Sequence, residues 1–259
     1  MNIKMVVTDL DGTLLRDDKT INAYIIETFA ELRAQGILIA FATARSPRSL
    51  WEYREQIQPG IVITNGGARA LAGKETVMQV AIDLETTNAI ISELKASAHV
   101  EQLCADTGEN YYTNEGLDRS VWRGYENAIM TDFSEPLTAP ALKIAPFSSN
   151  KAALATIAAK HEQVQLIHFT EDNWNQFQHI NASKEAALAA VCKKLHINLS
   201  DVAAFGDDYN DIGMLSVVGV GVAMGNAIAE VKAVADCVCD TNENDGVAQW
   251  LRENMLKYT

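Results

Sequence analysis

Two acidic groups and two phosphate-compatible turns carry the chemistry this sequence can do. Asp9 and Asp11 stand in Thr8-Asp9-Leu10-Asp11-Gly12-Thr13, directly after an apolar run. On extended chain, residues i and i+2 face the same way, so this spacing predicts two crowded carboxylates at a strand end. Such a pair is costly unless a cation or a proton separates the charges. The plain alternative is a strand closed by an Asp-Gly turn. A calcium loop is excluded, because Thr13 and Leu14 occupy its next ligand and its required glycine. The second group is Gly206-Asp207-Asp208-Tyr209-Asn210-Asp211. Three acids in five residues suit a hard, oxygen-seeking divalent cation, or else form an acidic turn with helix caps. Thr43-Ala44-Arg45 offers a hydroxyl and backbone N–H groups as an anion cradle, or simply starts a capped helix. Lys184 follows Ser183 at the start of a helix, the unfavourable end of the dipole for a cation. A bound anion would offset that cost; the alternative is a solvated lysine.

The surrounding pattern brings these residues together. Ile3 to Thr8 and Ile37 to Ala42 are apolar runs that read as buried strands. Between them Thr20 or Asn22 caps a helix whose Ile25, Phe29 and Leu32 recur at helical spacing, with Gly36 as its stop. Ser46-Pro47 opens another helix, and Ile61 to Thr64 is a third strand, closed by Asn65-Gly66-Gly67. The β-α-β-α-β order implies a parallel sheet with right-handed crossovers. Near Asp83 the rhythm changes. A helix from Leu84, strands at Val100–Ala105 and Tyr111-Tyr112, and later candidates at Leu142–Pro146, Val164–Thr170 and Trp174–Ile180 suggest antiparallel pieces around a helix near Lys151. From Ser183 the α/β alternation resumes, with strands at Val202–Phe205, Val218–Val222 and Cys237–Cys239. One α/β core (1–82 and 181–259) split by an inserted domain (83–180) accounts for the order. In open α/β sheets ligands bind beyond the carboxyl ends of the strands, where both acidic groups, Thr43 and Lys184 fall.

Composition narrows the partners. The chain has 259 residues, 48% hydrophobic and 21% charged, an ordinary globular balance. It carries 34 acids against 21 bases, a formal net charge of −13. That excess repels phosphate backbones and argues against nucleic acid as a partner, while small anions feel only the local field. Its four cysteines, Cys104, Cys192, Cys237 and Cys239, include no C-x-x-C pair, so packed thiols in a reducing cytosol are expected. The N-terminal apolar run is too short for a signal sequence, and no window approaches the ~18 apolar residues of a membrane span. A cytoplasmic protein without a membrane partner is expected. No Walker loop, nucleophile elbow or H-E-x-x-H occurs, and Gly219, Gly221 and Gly225 miss the dinucleotide spacing by one residue.

Taken in order, D-L-D-G-T-L at 9–14, T-A-R at 43–45, N-G-G-A at 65–68, Lys184, G-D-D-Y-N-D at 206–211 and A-M-G-N-A at 223–227 resemble the haloacid dehalogenase superfamily. They are similar in particular to its Cof-type sugar-phosphatase branch. Ala44 and Glu185 stand where that branch commonly has glycine. The resemblance implies a Rossmann-like, doubly wound parallel-sheet core with a smaller α+β cap of the C2 type inserted. It implies a Mg²⁺-dependent phosphatase of small phosphorylated metabolites, with Asp9 as nucleophile and Asp11 as acid and then base. Mg²⁺ would be held by Asp9, the Asp11 carbonyl and Asp207, with Asp211 supporting the metal shell. Thr43, Lys184 and Asn210, with Leu10 and Ala44, would hold the phosphoryl oxygens. In the inserted domain the aromatics, Arg119, Arg123 and His179 are candidate substrate contacts. Two other readings stay open: a phosphotransferase or phosphomutase using the same phosphoaspartate, and a phosphate-sensing module without turnover. The sequence allows a monomer or a homodimer.

Overall fold

Buried apolar runs supply the central strands. A computed structural model describes residues 3–114, 124–170 and 173–256. Strand β1 (Met5–Thr8) is buried along its whole length, as a strand covered on both faces must be. Helix α1 (Ala23–Ala34) is capped by Asn22 rather than Thr20: the Asn22 side chain accepts from the Ile25 N–H at 3.0 Å. Strand β2 (Leu38–Ala42), a tight turn at Pro47–Leu50, helix α2 (Trp51–Ile57) and strand β3 (Ile61–Thr64) complete the first β-α-β-α-β unit. Ser46 stands at the expected N-cap position, but its hydroxyl makes no capping bond. Two strands that the pattern does not reveal follow, β4 (Arg69–Ala72) and β5 (Glu75–Gln79). β4 runs antiparallel to β3, with Ile61 opposite Ala72. The sheet is therefore parallel at its centre and mixed at this edge.

The middle of the chain builds a second sheet. Helix α3 (Leu84–Ala96) is capped by Asp83, which accepts from the Thr86 N–H at 3.0 Å. It is followed by β6 (Gln102–Asp106), β7 (Tyr111–Thr113), β8 (Ile129–Met130), β9 (Lys143–Phe147), helix α4 (Lys151–Ala158), β10 (Val164–His168) and β11 (Asn175–His179). The order across this sheet is β10-β11-β9-β6-β7-β8. All its pairs are antiparallel except β7 with β8. Ile90 and Leu94 of α3 and Leu154 and Ile157 of α4 share one apolar core with Leu103, Ile144 and Phe177 of the strands. Helices thus cover one face of the sheet, while Cys104 and Ala145 on its other face join Tyr111 and Tyr125 in a second buried cluster, so the central strands are buried on both faces.

The chain then returns to the first sheet. Helix α5 (Lys184–Leu195), β12 (Val202–Gly206), α6 (Ile212–Val217), β13 (Val220–Ala223), α7 (Ala229–Val234), β14 (Cys237–Val238) and α8 (Gly246–Leu251) follow. The sheet order is β14-β13-β12-β1-β2-β3-β4-β5. β1 pairs in parallel with β2 on one side and β12 on the other. The winding reverses at β1, and a crevice at such a reversal is where open α/β sheets bind ligands. By compactness the chain divides into one unit of Met1–Ala44, Glu52–Met78 and Ser183–Thr259, and another of Arg45–Trp51 with Gln79–Ala182. Among the described residues no helix is long and apolar enough to cross a membrane.

Candidate active site

Strand register sets the site. Thr8 lies level with Phe41 of β2 and Phe205 of β12. The carboxyl ends of the three strands therefore coincide, and Asp9, Thr43 and Asp207 leave the sheet along one edge. Asp9 continues extended (φ −67°, ψ 171°), but Gly12 at φ 69° turns the chain, and the Leu15 N–H closes the turn on the Leu10 carbonyl at 2.8 Å. The Asp9–Asp11 pair expected at the strand end is therefore carried by a turn rather than by unbroken extended chain. The two carboxylates remain neighbours, yet they take different partners. Asp9 is buried against Lys184, whereas half-buried Asp11 pairs with Lys19 at 3.0 Å.

Gly12 is confined by the second acidic group. A Cβ there would sit 2.2 Å from Asp207 Oδ2, so only glycine lets the turn pass over that carboxylate. The Thr13 hydroxyl donates to Asp207 Oδ1 at 2.6 Å, and the Asn226 amide donates to the Gly12 carbonyl at 2.7 Å. The A-M-G-N segment after β13 thus holds the turn that presents Asp9. None of these roles follows from spacing alone.

Lys184 opens α5 beneath the Ser183 cap, whose hydroxyl accepts from the Ala186 N–H at 3.2 Å. Its ammonium lies 2.6 Å from Asp211 Oδ1 and 3.1 Å from Asp9 Oδ1, with all three side chains buried. The anion that offsets its place on the helix dipole is therefore supplied from within the protein. Asp211 is fully engaged, since its Oδ2 also accepts from the N–H groups of Asp207 at 3.0 Å and Asp208 at 3.2 Å. Gly67, at φ 96°, backs the lysine: a Cβ there would lie 2.1 Å from the Ser183 carbonyl. Gly67→Ala should consequently displace the Ser183–Lys184 peptide. Its expected cost is about 2 kcal/mol or more, lowering Tm by roughly 4–8 °C. Thermal melts check this.

Charge at the site is unbalanced. Oxygens of Asp9, Asp207 and Asp211 lie within 4.8 Å of one another, with the Lys184 ammonium beside two of the acids. Burial pushes the Asp9 carboxyl well above its ordinary value despite the opposing pull of Lys184. Burial, then the Asp211 and Asp9 charges, does the same to Asp207. Burial alone would lower Lys184, but Asp211 and Asp9 outweigh it and hold the ammonium firmly charged. An oxygen-only donor set with surplus negative charge fits a hard divalent cation.

The remaining expected residues fall as follows. Thr43 is buried; its N–H donates to the Ile63 carbonyl at 2.9 Å, and its own carbonyl accepts from Gly66 at 3.0 Å. The Leu10 N–H bonds the Asp9 carboxylate. Ala44 is half-buried at the strand-to-helix turn. Asn210 is half-buried in the turn before α6, and its Oδ1 is buried without a hydrogen-bond partner. Glu185 packs over Gly213 of α6, where an added Cβ would lie 2.5 Å from its carboxylate. Arg119 and Arg123 lie outside the described residues. His179 ends β11, and its Nδ1 accepts from the Asn181 N–H at 3.1 Å.

Acids gathered around a buried lysine at the carboxyl ends of parallel strands, where the winding reverses, define an α/β protein with a charged switch-point site. The chain belongs to the haloacid dehalogenase-like hydrolase family, whose pattern matches residues 6–251, and within it is a phosphoric monoester hydrolase. A relative from Haemophilus influenzae is 30% identical over 98% of both chains. The 5-amino-6-(5-phospho-D-ribitylamino)uracil phosphatase YcsE of Bacillus subtilis is 28% identical, over 99% of this chain and 97% of its own. The solved structure of a haloacid dehalogenase-like hydrolase from B. subtilis superposes with a TM-score of 0.83 at 25% identity, covering 98% of this chain and all of that one.

Proposed function

We propose that the protein is a Mg²⁺-dependent cytoplasmic phosphatase of small phosphorylated metabolites, sugar phosphates or similar phosphomonoesters, acting through an aspartyl-phosphate at Asp9. The observation that carries this reading is the buried Lys184 ammonium shared by Asp9 and Asp211, with Asp207 alongside. A carboxylate is a poor nucleophile towards an anionic phosphate, and a fixed cation beside it removes much of the repulsion. The phosphorylated ribityl group in the name of the B. subtilis relative supports the substrate class. Four free cysteines fit a reducing compartment. The second compact unit is read as the cap that selects the substrate.

In this mechanism an Asp9 carboxylate oxygen bonds to phosphorus as the bond to the leaving oxygen breaks. Asp11 gives its proton to that oxygen. Water then attacks the aspartyl-phosphate, Asp11 takes the water's proton, and phosphate leaves with Asp9 restored. Lys184, Thr43, Asn210 and the N–H groups of Leu10 and Ala44 orient the phosphoryl oxygens. Asp9, Asp207 and the Asp11 carbonyl would hold the metal, with Asp211 fixing Lys184 and the Asp207 loop behind them. Mg²⁺, when bound, supplies charge neutralisation between nucleophile and phosphate.

Phosphate release from a panel of phosphate esters, with and without Mg²⁺, tests the reading. Transfer of the group to a sugar instead of water would favour a phosphotransferase, and absence of turnover across the panel would favour a sensor. Asp207→Asn is expected to raise the half-saturating Mg²⁺ concentration at least about tenfold. An unchanged half-saturation point would remove Asp207 from the metal set.

A further inference from the structure

We propose that Lys19 is a positioning residue that holds the Asp11 carboxyl group in line for proton transfer to the leaving oxygen. The inference rests on the reading of Asp11 as proton donor given above. Its own basis is the geometry of the loop that follows the Asp9 turn. Lys19 Nζ lies 3.0 Å from Asp11 Oδ1, and both side chains are only partly exposed. The loop is built to hold that lysine in place. The Lys19 N–H donates to the Arg16 carbonyl at 2.8 Å, and the Arg16 N–H donates to Thr20 at 3.2 Å. Lys19 itself sits at φ 63°, a left-handed conformation that lysine adopts only where its surroundings enforce it.

Those surroundings are extensive. The Arg16 guanidinium reaches both oxygens of Asp245 at 2.9 Å, and the Asp17 N–H donates to Glu243 at 2.7 Å. Asn242 donates to the Leu15 carbonyl at 3.1 Å and to Asp17 at 2.9 Å. From the other side, the Tyr53 hydroxyl donates to the Lys19 carbonyl at 3.0 Å. The backbone at residue 19 is thus fixed to two separate segments of the chain, and a left-handed lysine ends on the one acid of the Asp9 turn that Lys184 does not bind. As the Asp11 O–H bond breaks and the O–H bond of the departing alcohol forms, the negative charge left on Asp11 faces the ammonium. That contribution matters most for a leaving group that cannot depart without a proton.

The test uses Lys19→Asn, which tolerates the left-handed turn but cannot reach Asp11 with a charge, and Lys19→Arg, which restores it. Each is compared with the unaltered enzyme, in Mg²⁺, on p-nitrophenyl phosphate and on glycerol 3-phosphate. In Lys19→Asn, kcat/KM for the alkyl ester should fall at least about tenfold more than for the aryl ester, whose leaving group needs no proton. Lys19→Arg should recover most of the difference. Equal losses on both esters, or no loss on either, would overturn the proposal. Asp11→Asn separates the two claims. If Asp11→Asn discriminates between the esters and Lys19→Asn does not, Lys19 alone is dismissed. If Asp11→Asn does not discriminate, its role as donor fails and the role of Lys19 fails with it.

Discussion

Asp9→Asn is expected to lower kcat by about four orders of magnitude or more while the metal-free protein melts at the same temperature or a few degrees higher. The two halves of this expectation have one cause. The Asp9 side chain is buried, and burial raises its proton affinity because the charged form is poorly solvated there. Asparagine keeps the shape and removes one of three clustered acids, together with the cost of ionising it there. Lys184 retains its 2.6 Å partner Asp211, so no buried cation is stranded. The amide cannot form the aspartyl-phosphate, so turnover is lost although the framework stands. Stabilisation by added Mg²⁺ should also shrink, since a charged carboxylate donor is replaced by a neutral amide oxygen. Phosphate-release rates and calorimetric melts in chelator and in Mg²⁺ measure these effects. A variant with normal melting and rates within 100-fold of the unaltered enzyme would show that Asp9 is not the nucleophile.

Much of this site is legible in the sequence because strand ends and caps are local signals. The apolar run into Asp9, the run into Gly206-Asp207 and the Ser183 cap before Lys184 each announce themselves within a few residues. The parallel order then places them at one edge without further information. What the sequence withholds is set at long range. The countercharge of Lys184 comes from Asp211, 27 residues on, and Asn226 reaches the Gly12 carbonyl across 214 residues. Spacing shows the N-G-G turn, but not that Gly67 must lack a side chain because the Ser183 carbonyl lies against it. The β4–β5 pair escapes for a different reason. Arg69-Ala70-Leu71-Ala72 is alanine-rich and carries little β preference, and its place is fixed by pairing with β3. The two residues between these strands, Gly73-Lys74, with Gly73 at φ 59°, are the one available hairpin signal. The separate partners of Asp9 and Asp11 escape for a third reason, because the turn at Gly12 is stabilised from outside by Asp207 and Asn226.

Lys184→Met should have the largest combined effect on stability and rate. The substitution fills the same volume but leaves Asp9, Asp207 and Asp211 buried without the ammonium that two of them share. Breaking a buried ion pair on one side costs about 3–5 kcal/mol, which for a chain of this size lowers Tm by roughly 10 °C. If Lys184 holds the phosphoryl oxygens as proposed, loss of its fixed cation should reduce kcat by about 100- to 1,000-fold. The stability loss has a definite pH dependence. The folded-state affinities of Asp9 and Asp207 for protons lie above the ordinary carboxylate value of 3.8. Above that value the folded chain therefore holds protons that the unfolded chain has released, and stability falls as pH rises towards and through neutrality. Lys184 opposes that trend at Asp9 and Asp207 in the unaltered protein. Removing it should steepen the decline, so the Tm difference between the two proteins is large at neutral pH and narrows towards pH 4. Lys184→Met with Asp211→Asn should regain part of the lost stability at neutral pH without regaining rate, because one surplus charge is removed but the cation is not restored. Melting curves across this pH range, in chelator, decide the matter. A Tm deficit that stays constant with pH would mean that packing, rather than the balance of buried charge, is what the lysine provides.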